Sequence, residues 1–146
     1  MNLTNEVKIT VVSPAAAAAQ TEIKSSVLDM EGYEGVMFIA LTGDVTSGSV
    51  LTLTAKGNTA NSTTSPSPVT QKATVALTAG ATDSDSKAIV VDVFRPALRY
   101  VFASLTRTAQ DAIVGGIIAI QYQARNKPTA NDASVIASAL GLGASA

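Results

Sequence analysis

Three arginines, Arg95, Arg99 and Arg107, are the charges in this sequence best placed to hold a ligand or a partner. Arg99 and Arg107 share parity with Val101, Ala103 and Leu105, so in an extended segment they bracket an apolar stripe on one face. Guanidinium groups held that way can clamp a phosphate or a carboxylate bidentately. The plainer reading puts them at strand ends, paired with Asp92, Asp111 or another subunit, with Arg95 and Arg99 the first places to look. Two carboxylate sets come next. Asp83 and Asp85 have the spacing of the first two ligands of a calcium loop, but no glycine follows at the required place and no bidentate glutamate closes the site, so they read as a solvated turn. Glu31 and Glu34 flank Gly32-Tyr33. Acid/base work needs a pocket that separates two such pKa values, and a short glycine turn does not supply one.

The rest of the catalytic inventory is thin. The chain contains no histidine and no cysteine, which removes the commonest general base, the commonest metal ligand and thiolate chemistry. A serine nucleophile would need a lysine base, and Lys24 precedes Ser25 and Ser26 in the wrong order for a Ser-x-x-Lys arrangement. No glycine-rich phosphate loop is present, and Gly115-Gly116 falls inside an apolar run, where glycines mark a bulge or a close backbone approach. The expectation is a protein without catalytic, cofactor-binding or metal-binding residues, and not an enzyme.

The elements that position these residues are strands. Ala88 to Gln123 is read as three consecutive strands forming a meander at the core: Ile89, Val91 and Val93 alternate with Val90, Asp92 and Phe94, Arg95-Pro96 interrupts, a second alternation runs from Leu98 to Leu105, and Ile113 to Tyr122 follows a turn at Thr108–Asp111. Upstream, Glu6–Val12 alternates, Ser13-Pro14 stops it, and the Ala15–Ala19 run reads as a surface connection with a helical turn. Thr21–Met30 alternates weakly. Val36–Leu41 is apolar on both faces, the mark of a strand buried on each side. Val50–Ala55 alternates leucine with threonine. Residues 56–68 form a long polar loop, Val69–Thr78 resumes as a strand, and 79–86 is a second polar loop. From 129 to 146 the character changes to a short tail, in which Asn131 could cap a helix through Val135, Ile136, Ala139 and Leu140.

About eight short strands separated by turn signals, with no long amphipathic helices between them, predict an antiparallel β-sandwich, jelly-roll-like, with a short helical or extended C-terminal tail. One domain spans 1–128 and the tail or arm spans 129–146. Charged residues make up 14% of the chain, against roughly 25% in an average soluble domain. A surface covered by small and hydroxylated side chains suits packing against neighbours. With a net charge of -1, no basic face for nucleic acid is implied. The N-terminus lacks a basic start and apolar core of an export signal, and the longest apolar run is far below the roughly 20 residues of a membrane helix, so neither a membrane nor nucleic acid is expected as a partner and synthesis in a cytoplasm is expected.

Three segments carry a resemblance. Asp29 with Gly32-Tyr33-Glu34-Gly35-Val36, Val91-Asp92-Val93-Phe94-Arg95-Pro96 with Arg99-Tyr100-Val101, and Gly116 to Tyr122 together resemble small structural virion proteins of tailed bacteriophages and prophages, over roughly residues 21 to 128. That resemblance implies a structural role in the particle, as a head decoration (cement) protein on the capsid exterior. The reading that follows is a homo-oligomer, first of all a trimer, bound to the major capsid protein and stabilising the head; Arg95, Arg99 and Arg107, singled out above by type and parity, are its candidate subunit or capsid contacts. A head–tail connector or tail component is the alternative, and a glycan-binding sandwich a more distant one. Nothing transfers to the 56–68 loop or the tail.

Overall fold

The computed structural model describes residues 2–64, 66–68, 73–141 and 143. A one-turn helix, α1 (Leu3–Glu6), is followed by β1 (Lys8–Ser13), β2 (Ala16–Ala19), β3 (Ile23–Lys24), β4 (Leu28–Asp29), β5 (Gly35–Val45), β6 (Val50–Asn58), β7 (Ser67–Pro68), β8 (Thr74–Thr78), β9 (Ala88–Phe94), β10 (Tyr100–Thr108) and β11 (Ala112–Tyr122). The first sheet runs β1-β11-β5-β9 with β2 also on β11; the second runs through β3 and β4, β10, β6 and then β7 and β8. All pairings are antiparallel.

Eight strands emerge when the broken ones are joined. β1 and β2 are one strand bent at Ser13-Pro14, and β3 and β4 are the two ends of another, both on β10. Leaving aside the two-residue β7, the two sheets then have the orders 1-8-3-6 and 2-7-4-5. That is the jelly roll, two Greek keys folded face to face. The fold class expected from alternation is therefore observed, and its strand order is the jelly-roll one.

The core lies between the sheets. Val36, Phe38, Ala40, Ile89, Val91, Val93, Ile117 and Ala119 come from the first sheet and face Leu51, Leu53, Ala55, Val101, Ala103 and Leu105 of the second. Each is the inward member of a period-2 pair. At Gly116 the register of β11 shifts against β5, and φ is +131°. A Cβ there would press on the Ser13 carbonyl, so this bulge needs glycine.

Four expectations change. The Ala88–Gln123 segment forms three strands but no meander: β9 and β11 lie in one sheet and β10 in the other. Alternation reports one buried face per strand and is silent on which sheet supplies it. The crossings run through left-handed residues, Arg95 (φ 55°) and Ala109 (φ 69°), whose turn geometry carries the chain across the sandwich. The polyalanine run is strand β2, not a helical turn. Helix nucleation is too costly for so short a run, and β11 offers it a pairing partner. The tail forms no helix among its described residues. Asn131 does not cap one; its Oδ1 accepts from the Ile9 N–H, because β1 is an edge strand with donors to satisfy. The 56–68 loop is shorter than expected: β6 continues to Asn58 and β7 pairs back onto Lys56 and Gly57. Asn58 organises what remains, donating to the Ser62 and Thr64 carbonyls and accepting from Ala60 N. Of the expected strand Val69–Thr78, residues 69–72 lie outside the described residues.

Candidate functional site: a charged rim and an apolar outer face

Three of the sequence's suggestive segments meet at one end of the sandwich. The 29–35 turn enters β5, the 95–99 crossing leaves β9 for β10, and β11 ends at Tyr122. Backbone bonds fasten them: Met30 N to Arg99 O at 2.8 Å, Arg95 N to Glu34 O at 2.7 Å, Glu34 N to Tyr122 O at 3.2 Å and Arg125 N to Gly32 O at 2.9 Å. Gln121, the lone glutamine on the inward face of β11, is buried there and donates to the Asp29 carbonyl at 2.9 Å. It ties the two sheets together where the apolar core runs out.

Side chains at this rim form two ion-pair groups. Arg99 grips Asp29 bidentately, Nε to Oδ1 at 2.9 Å and Nη2 to Oδ2 at 2.8 Å, and Nη2 also reaches Glu31 at 2.6 Å. Asp29 Oδ1 further accepts from Glu31 N. The Arg99 guanidinium holds the Asp29 carboxyl below the ordinary aspartate range, against a smaller opposing push from burial. In return, the hydrogen bond to Asp29 raises Arg99 above its own ordinary value. Glu34 sits between Arg95, at 3.3 Å, and Arg125, at 3.6 Å. The Arg95 guanidinium also lies 5.0 Å from the Phe94 ring centre, a cation–π distance. A shallow depression of about 360 Å³ opens between these groups, floored by Met30 and Pro96. Burial raises the Tyr33 phenol on its wall.

The chemistry of this rim is cohesion. Each arginine faces a carboxylate of its own chain, so a phosphate clamp would first have to displace one. Arg95 and Arg99 are exposed, with side chains 73% and 52% accessible, and either could exchange a carboxylate for one on another chain. Glu31 and Glu34 stand at an open surface facing arginines. Asp83 and Asp85 organise their own loop, accepting from Gly80 N at 2.7 Å and Val45 N at 2.8 Å. Among the described residues no group of His, Asp or Glu could hold a metal ion, and no helix is long and apolar enough to cross a membrane.

Arg107 is elsewhere. It points inward from β10, is 3% exposed, and offers no surface to a partner of this fold. Its guanidinium donates to Ala17 O at 2.7 Å, Ala112 O at 2.8 Å, Thr21 O at 3.1 Å and Thr21 Oγ1 at 2.8 Å. It is paired with neither Asp92 nor Asp111. Parity placed it on the inward stripe with Val101, Ala103 and Leu105; what parity could not give was that carbonyls, not carboxylates, would receive it.

The second feature is a contrast between the outer faces of the two sheets. The second sheet's outer face is mostly hydroxylated, with Thr52, Thr54, Thr74, Thr78, Ser104, Thr106 and Thr108, though Val50, Ala76, Tyr100 and the fully buried Phe102 share that face. The first sheet's carries Ile9 and Val11 on β1, Met37, Ile39 and Leu41 on β5, Ile118 and Ile120 on β11, and Ala88, Val90 and Phe94 on β9 with Asp92 as the charged exception. Val11 and Leu41 are each 42% exposed, Val90 47% and Phe94 49%. This corrects the reading of Val36–Leu41 as covered on both sides: its inner residues are buried, and its outer ones face outward with no layer of the described residues over them. Tyr122 edges that face. Its ring lies over Gly35, parallel to Phe94 at 6.4 Å between centres, and its hydroxyl donates to Asp92 Oδ1 at 2.6 Å. Burial, then the Asp92 carboxylate, push the phenol well up. A glycine opposite a tyrosine cannot be assigned from sequence without the register; the Gly35–Tyr122 pair is legible only once β5 and β11 are aligned.

No family model and no curated protein sequence matches the chain. Among solved structures, an Eiger TNF from S. frugiperda is similar at 8% identity, covering 86% of this chain and 98% of that one with a TM-score of 0.39. A Desmodium yellow mottle tymovirus chain is similar at 11% identity, covering 84% and 92%, with a TM-score of 0.33. The jelly-roll assignment rests on strand order, independently of either.

Proposed function

We propose that this chain is a structural subunit of a tailed-phage virion, a decoration protein that binds the capsid exterior as a homotrimer and ties neighbouring major capsid proteins together. The observation that carries the reading is the uncovered apolar face of the first sheet. An antiparallel sheet that ends in water is polar outside, as the second sheet mostly is; a contiguous apolar outer face of this size is often a contact surface. The charge-poor composition supports the same reading, as does the convergence of the three phage-like segments on a rim whose exposed arginines, Arg95 and Arg99, can trade partners with a neighbour. Catalysis has no place in it, and neither does a cofactor.

The mechanism is addition of buried area at subunit junctions. Many copies acting together make individually weak contacts strong. The test mixes purified protein with particles lacking it and measures binding and survival of heat or low salt. Binding with a gain in survival is expected; no binding and no gain would refute the proposal. Copy number places the protein within the particle: hundreds per head for decoration, whereas about 6 or 12 would indicate a connector ring, by the closed symmetry of such assemblies.

A further inference from the structure

The C-terminal arm leaves the sandwich in one direction, and the groove that suits it lies in the other. From Thr129 the arm follows the free edge of β1. Thr129 N donates to Asn5 O and Asp132 N to Ile9 O, Ile9 N donates to Asn131 Oδ1 at 3.2 Å and Val11 N to Ser134 Oγ at 2.8 Å. Arm and strand therefore run the same way, up from Asn5 towards Val11. Past Ser134 the arm has no charged residue. Val135 is half-buried, but Ile136 is 98% exposed and Leu140 46%, so these two stand clear of their own sandwich.

A groove of about 460 Å³ opens at the start of this path, where the apolar side chains of Leu3, Val7, Met37, Ile120 and Tyr122 line it. Leu3 is 56% exposed beside it. Val7, just before β1, and Val11 are four positions apart, roughly 13 Å of extended chain. The anchored arm is carried that far from its own groove and points away from it, and a return would need a full reversal after Ser134.

We infer that the arm beyond Ser134 seats Ile136 in the Leu3–Met37–Ile120–Tyr122 groove of a second copy of this chain. An uncharged apolar segment meets a mostly apolar cleft, whose only charged lining residues, Glu6 and Lys127, are paired with each other at 2.9 Å. The area involved points the same way. Four strands about 4.8 Å apart and some seven residues long give the outer face roughly 400 Å², about half of what a standard partner surface buries. An exchanged arm adds to that surface at the edge where the groove lies. The inference rests on reading the chain as an assembling subunit, and its test does not use particles, so the two fail separately.

The chain has no native cysteine, which makes crosslinking unambiguous. Ile136→Cys protein carrying a size tag is mixed with untagged Met37→Cys protein under mild oxidation, with Leu3→Cys as a second groove variant should Met37→Cys not fold. A tagged–untagged disulfide dimer is expected, formed at least tenfold faster than with a Ser47→Cys control in the distant β5–β6 turn. Equal rates for groove and control, or no heterodimer, overturn the inference. So does the double variant Ile136→Cys/Met37→Cys, if it closes within one chain in preference to linking two.

Discussion

Replacing Arg107 tests whether the buried guanidinium holds the sandwich together or is merely tolerated. In Arg107→Ala four hydrogen bonds disappear. Their acceptors are not equivalent. Ala112 is fully buried, so its carbonyl loses its charged donor where water cannot replace it, at a cost of about 1–3 kcal/mol. Ala17 and Thr21 are exposed residues, and their acceptors can turn to water, leaving only the net value of each bond, about 1 kcal/mol. Against this, the variant no longer has to bury a charge without a carboxylate beside it. The balance is a loss of about 2–4 kcal/mol. Arg107→Met keeps most of the volume and recovers about 1 kcal/mol through its buried methylenes. Arg107→Lys, a point donor without the planar fork, falls between the alanine variant and the parent. Urea unfolding at one fixed protein concentration reads these as shifts in midpoint, and a loss of this size lowers Tm by roughly 4–16 °C for a domain of this length. Hydrogen exchange adds a local reading: β2, whose alanines have no side chain able to anchor them, loses protection first. The reasoning is refuted if Arg107→Ala stays within about 0.5 kcal/mol of the parent, or if Arg107→Met is the more stable protein.

The other predictions are briefer. Asp29 titrates below the ordinary aspartate value because Arg99 stabilises its anion; a depressed folded-state pKa contributes stability above the unfolded value of about 3.9 that is lost as pH falls through the folded one. Arg99→Ala should raise the Asp29 carboxyl titration seen by NMR and flatten that part of the acid limb, and an unchanged titration would remove Arg99 as its cause. Gly35→Ala places a methyl in the Tyr122 ring, displacing the hydroxyl from Asp92 and costing about 1–3 kcal/mol by overpacking; in Gly35→Ala/Tyr122→Ala the penalty of the glycine change should largely vanish, and full additivity would contradict the contact. Asp85→Ala frees the buried Val45 N–H and should cost about 1–2 kcal/mol, while added calcium leaves the parent's Tm unchanged; a calcium-dependent rise would restore the metal reading of Asp83 and Asp85.

What could be read from the residues followed from period 2. Val36, Phe38, Leu51, Leu53, Val91, Val101 and Leu105 all lie in the core cluster because alternation fixes which side chains share a face. Alternation cannot say which sheet a strand joins, so it does not separate a β9-β10-β11 meander from the observed placement of β10 in the opposite sheet. It cannot foresee that a polyalanine segment will be captured by a neighbouring strand, because alanine carries no side chain to signal either outcome. Asn131 looked like a helix cap for the same reason that it works as an edge clamp: its amide oxygen accepts from a free backbone N–H in both settings. At the candidate site, Arg95 and Arg99 could be picked out by type. Their partners Asp29, Glu31 and Glu34 lie about 60–70 positions upstream and meet them only through the jelly-roll crossover.

The Val36–Leu41 segment shows how an apparent misreading becomes informative. A strand apolar on both sides is normally the middle of a three-layer fold, with helices over each face. This chain has one four-residue helix among its described residues, and no third layer. The second face of β5 is nonetheless written in Met37, Ile39 and Leu41, and β9, β11 and β1 repeat the pattern beside it. On the function proposed above, the missing layer is supplied by another molecule. At roughly 400 Å² the face is too small to hold a lone pair of chains firmly, but large enough for a subunit that makes several such contacts at once. Threonine at Ile39 and Val90 should then leave the unfolding midpoint of dilute protein within about 0.5 kcal/mol, since neither side chain reaches the core, while weakening assembly and particle binding at least tenfold. If the double variant assembles as well as the parent, the uncovered face is not the contact surface.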